Sequence, residues 1–268
     1  MDRRSINLKI GIVLISLLFS MMIVSLFYTP FSVTEINREE RFSPPSGRHL
    51  LGTDNFGRDV LSRIMKASQT AFFVGLVAVS IGTLFGVTIG AVSGYFGGMV
   101  DEIIMRFIDA MMAFPSILLA LMFVSVFGVG LRNTIVAIGI MSIPSFARIT
   151  RSGFIQHKEL DYVRSAKVKG VSNLRIMFRH ILPNVLSPIV VAASMGFSNA
   201  VLAEAALSYL GLGIQPPNPS WGRMLSESQV FITVSPWCAI APGIFITLLV
   251  LGFNFLGDGI RDMREKRE

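Results

Sequence analysis

Two polar side chains lie inside an otherwise apolar stretch of this 268-residue chain, and they are the first candidates for chemistry. Glu204 is the more informative, because an acidic side chain deep in a membrane costs about 2.5–3.5 kcal/mol and should face protein or a water-filled cavity. Asn199 raises the same question nearby. Two roles are open for Glu204. It lines a path or gate through the protein, or it is a buried hydrogen-bonding partner for a neighbouring helix.

Residues that could hold a metal, a nucleotide or a covalent intermediate are scarce. His49, His157 and His180 are far apart in the sequence, and the single Cys238 has no internal disulfide partner. The sequence contains no G-x-x-x-x-G-K-[ST] phosphate loop that could cradle ATP. We therefore predict no catalytic residue, no metal site and no cofactor bound by the chain itself.

The elements that carry these residues are apolar segments of membrane-spanning length. Hydrophobic residues make up 52% of the chain, only 15% are charged, and mean hydropathy is +0.62, whereas soluble domains carry about 25% charged residues. Runs of about 20 apolar residues predict transmembrane helices. We predict an all-α polytopic integral membrane protein with six spans, at about 10–28, 70–95, 104–128, 133–150, 186–209 and 237–257.

The basic residues predict the orientation of these spans. With the N-terminus inside, 16 of the 24 Lys and Arg residues fall on the cytoplasmic side, as the positive-inside rule requires. Both termini are then cytoplasmic. Because most Lys and Arg sit in short segments between apolar runs, we expect membrane lipid and no nucleic acid as a partner for this basic chain.

Residues 1–69 are predicted to hold the first span and an extracytoplasmic segment with an amphipathic helix, and 70–268 the five-span core. Asp54 can cap the start of that helix. Asp54–Arg58 and Asp59–Arg63 have the i,i+4 spacing of helical ion pairs. The helix either contacts a partner or closes the external mouth of a path, or it is self-paired and rests on the membrane surface.

Small residues recur every four positions in the second span, on one helix face. Small residues at this spacing let a second helix backbone approach closely within lipid. Packing within one bundle and packing at a subunit interface both fit the pattern. The residues are Gly82, Gly86, Gly90 and Gly94.

The basic loop at about 150–185 divides into two short predicted helices. The first covers 159–169 and stops at Gly170; Ser172 can cap the second, and Pro183 limits its end. Spacing alone leaves two interpretations open: a rigid projection that receives force from a soluble partner, or a solvated positive-inside loop.

The segment DYVRSAKVKGVSNLRIMFRHILPN, from Asp161 to Asn184, resembles the coupling loop of bacterial ABC importer permeases. Two residues depart from that family pattern. Arg164 stands where an acidic residue often opens the motif, and Ser165 replaces its first alanine. The residues that we assign to the coupling loop on this resemblance are Asp161, Tyr162, Arg164, Ser165, Ala166, Gly170, Leu182 and Pro183.

Two further segments resemble one permease, the second or C-type subunit, of dipeptide, oligopeptide and nickel importers. They are LGTDNFGRDVLSR, from Leu51 to Arg63, and AEAALSYLGLGIQPPNPSWGRML, from Ala203 to Leu225. With shorter matches, the resemblance covers about residues 48–262.

The resemblance implies a type I ABC importer transmembrane domain in the bacterial inner membrane. Its expected partners are a homologous second permease, two ATPases that bind ATP and Mg, and an extracytoplasmic substrate-binding protein. Asp54, Arg58, Asp59 and Arg63 are then candidate contacts for the binding protein. The expected function is import of dipeptides or oligopeptides without enzymatic activity in this chain. Import of nickel or a metal chelate is the alternative, and an ATP-independent transporter or channel and a membrane-embedded enzyme are more distant ones.

Overall fold

The computed structural model describes residues 3–265, and nearly all of the regular secondary structure in this range is helical. The α-helices, in chain order, are α1 (Arg3–Phe27), α2 (Val60–Phe96), α3 (Gly98–Met112), α4 (Ser116–Phe127), α5 (Leu131–His157), α6 (Asp161–Val168), α7 (Asn173–Arg175), α8 (Leu182–Tyr209), α9 (Trp221–Ser228) and α10 (Trp237–Glu265). A π-helical segment, Ile176–Ile181, joins α7 to α8, and short 3₁₀ turns occupy Arg38–Glu40 and Gln229–Phe231.

Five helices within the described residues are long and apolar enough to cross a membrane, or six if the bent pair α3 and α4 counts as one span. The other predicted spans correspond to α1, α2, α5, α8 and α10, and all five of these helices are longer than predicted. α2 has 37 residues, which at about 1.5 Å per residue is about 55 Å and well beyond a 30 Å hydrocarbon core.

The continuous span predicted at 104–128 is instead broken. α3 and α4 meet at 86° across the residues between Met112 and Ser116. Pro115 explains the break, because proline has no N–H to donate and disfavours helical geometry in the residue before it.

The amphipathic helix predicted before the second span is the first part of α2 itself. The helix begins at Val60, and its cap is Asp59, whose side chain accepts a hydrogen bond from the Ser62 N–H. The predicted cap, Asp54, lies in the preceding turn, where it accepts from the backbone N–H groups of Phe56 and Arg58. A helix start needs a side chain aimed at its first free N–H groups, and Asp59 has that position.

The glycines of α2 pack along α5. A Cβ on Gly86 would lie 2.5 Å from the Phe146 Cβ, and one on Gly90 would lie 2.3 Å from the Ala147 carbonyl oxygen. A Cβ on Gly82 would similarly meet Ser142, and one on Gly94 would meet the backbone of Arg151. The face therefore serves packing within the chain.

The second helix predicted in the basic loop does not end at Pro183. The chain passes from α7 through the π segment into α8, so that Asn173–Tyr209 is one long helix. The Leu182 N–H bonds the Met177 carbonyl, five residues back, and Pro183 follows within the first turn of α8. Proline is tolerated in a first turn because its missing N–H has no helical partner there.

Two ends of the bundle matter for function. We call the end formed by residues 28–59 and α9 the cap end, and the opposite end, which carries α3 and α6, the α6 end. α1 packs along α10, where a Cβ on Gly11 would meet the Leu256 backbone nitrogen at 2.6 Å.

Candidate functional site

A groove of about 640 Å³ opens between α4, α5 and α8. Most of its lining is apolar and small. Its polar groups are neutral: the hydroxyls of Ser116, Ser142 and Ser145 and the amide of Asn199. Such a surface can exchange hydrogen bonds with a passing polar solute without fixing a charge in place. Of the two polar candidates in α8, the structure places Asn199 in this groove.

Glu204 does not line the groove. It is 1% exposed, and its carboxylate accepts a hydrogen bond from the Ser208 hydroxyl at 2.6 Å. The Ser208 oxygen in turn accepts from the Ile214 N–H at 3.0 Å. Glu204 thus ties the end of α8 to the loop that follows it. The structure therefore places Glu204 in a buried, hydrogen-bonded position outside the groove.

Around Glu204, the small helix α9 is held deep between the spans. Ser220 caps it by accepting from the Arg223 N–H, and a Cβ on Gly222 would meet the Ala205 carbonyl oxygen at 2.1 Å. Trp221 is 1% exposed and donates its indole N–H to the Ile64 carbonyl. The cap end is therefore anchored to α2 and α8 through α9.

At the opposite end, α6 stops at Gly170 as predicted. Gly170 has φ +74°, a left-handed conformation that glycine adopts without the steric cost of a Cβ. Its N–H bonds the Lys167 carbonyl, and the Val171 N–H bonds the Ala166 carbonyl, which is the Schellman pattern. Ser172 occupies the next cap position, but its side chain makes no capping hydrogen bond.

The two faces of α6 have different neighbours. Val163 and Ala166 point into the chain and are 0% and 7% exposed, packed with the π segment. A small side chain at Ala166 thus lets α6 pack closely on its own chain. The outward face consists of residues at i, i+3, i+4 and i+7: Asp161, Arg164, Ser165 and Val168. Val168 is 89% exposed.

Hydrogen bonds from two spans hold α6 and α7 in position. The Tyr95 hydroxyl at the end of α2 donates to the Asn173 side chain at 2.8 Å. Tyr162 of α6 lies 3.1 Å from Nδ1 of His157 at the end of α5. Leu182 is partly buried against the same cluster, and Pro183 is exposed. A movement of α2, α5 or α8 would therefore displace α6.

The cap end contains a network of charged side chains. Arg58 donates to Asp54 at 2.7 Å, the ion pair that the spacing predicts. Arg63 pairs with Asp54 and with Glu227 of α9, rather than with Asp59 as predicted. Asp59 is instead engaged by Ser62 and by His49, whose Nδ1 lies at 2.8 Å.

Burial alone raises the pKa of the Glu227 carboxyl, but the guanidinium groups around it outweigh burial and hold that pKa below its usual value. The groups responsible are those of Arg63, Arg58 and Arg223. Asp54, Asp59 and Arg63 are themselves buried. They hold the cap segment against α9 and are not available as direct contacts for a binding protein.

Sequence reasoning missed Glu227 and His49, because their partners are 164 and 10 residues away. It also missed Asp101 and Arg151, which pair between α3 and α5. The only local signal for any of these was the i,i+4 spacing of Arg223 and Glu227. Within the described residues, no group of three or more His, Cys, Asp or Glu side chains is arranged to hold a metal ion.

The fold and these features define a membrane transport subunit. Residues 86–268 match the family described as binding-protein-dependent transport system inner membrane component. The chain belongs to this family, the inner-membrane permease components of ABC importers, and the resemblance inferred from the sequence is confirmed.

The chain is similar over nearly its full length to curated peptide permeases. It is 45% identical to the dipeptide transport system permease protein DppC of Alkalihalophilus pseudofirmus, over 95% of this chain and 84% of that one. It is 43% identical to the DppC protein of Haemophilus influenzae, over 94% and 88% of the two chains. It is 45% identical to the glutathione transport system permease protein GsiD of Pectobacterium atrosepticum, over 81% and 72%.

Among solved structures, the chain is similar to the inward-facing MetNI methionine ABC transporter. The TM-score is 0.58 at 17% identity, covering 76% of this chain and 95% of that one. At this identity the likeness concerns the fold, and it confirms the type I importer transmembrane architecture.

Proposed function

We propose that this chain is the permease subunit of an ATP-driven importer and that, with a related second permease, it forms the translocation path for dipeptides or oligopeptides. The groove between α4, α5 and α8 carries the proposal. Its volume of about 640 Å³ lies within the roughly 300–1,000 Å³ of small-molecule sites. Its hydroxyl and amide groups suit hydrogen bonds to a peptide backbone. The names of the similar dipeptide and glutathione permeases support the same cargo.

The chemistry of the groove favours peptides over nickel. Its potential metal ligands are the thioethers of Met141 and Met195 and neutral oxygen atoms. Nickel is better served by imidazole nitrogens, and thioethers suit softer ions such as Cu(I). A peptide needs only the hydrogen-bonding groups that line the groove.

ATP hydrolysis is proposed to act through α6. The outward face of α6 would dock on one of two separate ATPase subunits, which bind ATP and Mg. This assignment places the α6 end and both termini in the cytoplasm. The sidedness of Lys and Arg supports it, because 16 of 24 fall on that side. The hydrogen bonds of Tyr95 to α7 and of Tyr162 in α6 to His157 connect this part of the chain to the spans.

The cap end is proposed to receive the extracytoplasmic binding protein. Its surface is held in shape by the Asp54–Arg63–Glu227 network, and an exposed aromatic side chain, Phe56, lies beside that network. Phe56 is 42% exposed, and the Arg58 guanidinium lies 4.6 Å from the centre of its ring. These two side chains are the contacts that we expect, in place of the buried Asp54, Asp59 and Arg63.

Uptake by the reconstituted transporter tests this proposal. The chain would be co-expressed with its candidate partners, placed in proteoliposomes and supplied with labelled dipeptide or with nickel. We expect ATP-dependent uptake of dipeptide, and we expect Val168→Asp on α6 to abolish uptake and co-purification of the ATPases. Val230→Asp, at a similarly exposed apolar position of the cap end, is the matched control and should retain the ATPases. Uptake without ATP, or of nickel alone, would overturn the proposal.

A further inference from the structure

α3 is held to the bundle mainly by charge. Within its fifteen residues Ile108 is the only buried one, so apolar packing contributes little to its position. Two ion pairs cross from α3 to α5. The Arg151 guanidinium donates to both carboxylate oxygens of Asp101, at 2.6 and 2.5 Å, and Arg148 donates to Asp109 at 2.5 Å.

The two pairs differ in strength. Asp101 and Arg151 are 18% and 34% exposed in their side chains and form a bidentate contact, which is the geometry of strong pairs. Asp109 and Arg148 are 61% and 48% exposed, where solvent screens most of the attraction. The first pair therefore dominates the attachment of α3.

Asp101 also joins a third helix. The Ser93 hydroxyl of α2 donates to Oδ1 of Asp101, the oxygen that also accepts from Nε of Arg151. The close glycine packing of α2 on α5 makes this meeting of three helices possible, because Gly94 rests on the backbone of Arg151. Gly97 and Gly98, with φ of +66° and +54°, then turn the chain sharply from α2 into α3.

The other sides of α3 explain why it lies across the bundle. Met99, Ile103 and Phe107 form an exposed apolar side, and Glu102 and Arg106 pair with each other on an exposed polar side. A helix with these two exposed sides suits the boundary between lipid and water. With its angle of 86° to α4, α3 has the composition and the direction expected of a helix that lies along this boundary.

α4 forms one wall of the groove, through Ser116, Ile117 and Ala120. It follows α3 directly after the break at Pro115, and its own packing is thin, with only Ala120 and Val124 buried. The position of this wall consequently depends on the helix to which it is joined. Alternating access requires the walls of a path to have two arrangements.

We propose that the Asp101–Arg151 pair, assisted by Asp109–Arg148, locks α3 across the α6 end and so fixes the α4 wall of the groove, and that these pairs must break for the groove to change state. The transport part of this inference rests on the proposed function; the lock itself is a property of this chain. Asp101 and Arg151 are thus positioning residues.

A distance between α3 and α4 tests the lock without using peptide or ATP. Spin labels would replace Met99 and Phe127, both exposed, in the full chain with Cys238→Ala in lipid nanodiscs. With helix lengths of about 22 and 18 Å, the bend observed here sets a separation of about 28 Å, and a straightened pair would give about 40 Å. We expect one narrow distribution for the parent chain and a broader, longer one for Asp101→Asn.

Three further variants complete the test. The exchange Asp101→Arg with Arg151→Asp should restore the narrow distribution, and Asp109→Asn should broaden it less than Asp101→Asn does. Glu102→Gln with Arg106→Gln removes the exposed pair of the same helix and should change nothing. If Asp101→Asn does not accumulate, Asp109→Asn and the exchange still decide the question.

An unchanged distribution in Asp101→Asn and Asp109→Asn, or an exchange variant that stays broad, would overturn the lock. Uptake and ATPase activity of the assembled transporter form a separate arm. In that arm Asp101→Asn should raise ATP hydrolysis per peptide imported, and the exchange should restore the parent ratio. If the distances respond while the parent chain imports no peptide, the lock stands and the proposed function fails.

Discussion

Arg63 at the start of α2 donates to the carboxylate of Glu227 in α9 at 2.9 Å, and the two residues are 164 positions apart in the chain. Glu227 also accepts from Arg58 and Arg223. This carboxylate is therefore the point at which the cap segment, α2 and α9 meet.

Glu227→Gln should lower the free energy of unfolding by about 1.5–3 kcal/mol. A hydrogen bond to a charged group contributes about this much to stability, and the substitution weakens several such bonds at once. Thermal unfolding in detergent measures the change. Glu102→Gln is the control, since its pair with Arg106 is exposed and should contribute about 0–1 kcal/mol. Equal effects of the two variants would contradict a structural role for the network.

Acid should weaken the cap end. The pKa of Glu227 is held below its ordinary value of 4.5 in the folded chain. A carboxylate whose folded pKa is depressed stabilises the fold above its unfolded pKa and loses that contribution as the pH falls through the folded pKa. We expect the stability difference between the parent chain and Glu227→Gln to be constant near neutral pH and to shrink below about pH 4.5. A difference that grows on acidification would show that the sign is wrong.

Gly170 should tolerate asparagine better than valine. Its φ of +74° strains any residue with a Cβ, although no atom would lie within 4 Å of that Cβ. Left-handed geometry costs a typical L-residue roughly 1–2 kcal/mol, and asparagine is among the residues that adopt it more readily. We expect Gly170→Val to reduce ATP-driven uptake strongly and Gly170→Asn to retain most of it, at equal amounts in the membrane. Equal activities would show that the turn does not require this conformation.

Gly90→Leu should prevent correct packing of α2 against α5. A Cβ there lies 2.3 Å from the Ala147 carbonyl oxygen, and backbone cannot move aside as a side chain can. Gly243→Leu in α10 is the matched control, because nothing lies within 4 Å of its Cβ. Fluorescence-detected size exclusion would compare the yields of folded protein, and we expect a loss of several-fold for Gly90→Leu alone.

Glu204→Gln and Asn199→Leu should separate a structural residue from a groove residue. Glutamine keeps an oxygen that can accept from Ser208, so uptake should remain near the parent level, whereas Glu204→Leu should reduce folding. Asn199→Leu should fold normally and change the KM for peptide, because it removes a polar group from the groove. Loss of uptake in well-folded Glu204→Gln would instead assign a path role to that residue.

The membrane class, the long spans and the turn at Gly170 could be predicted from the sequence, because hydropathy and left-handed glycine turns are local properties. The glycine face of α2 was also visible, although its partner helix was not. The sequence predicts that Pro115 lies inside a span, because an average over an apolar run hides a bend. It also predicts that a helix ends at Pro183, because a π turn has no sequence signature of its own.

The site was less predictable, since it depends on contacts distant in sequence. Spacing paired Asp59 with Arg63 on one helix, but the helix begins only at Val60, so Asp59 caps its first turn instead. The position of Glu204 in the sequence leaves its role open, and the structure places Asn199, but not Glu204, in the groove. Which side of α6 faces outward likewise depended on the long helix packed beneath it.

The π segment at Ile176–Ile181 gives the long helix that contains it room for one surplus residue. A π turn holds about one residue more than an α turn. Because a turn of either kind completes about one revolution, the helix on each side of the segment keeps nearly the same angular phase. The surplus residue is thus absorbed locally, without rotating the outward face of α6 relative to the groove.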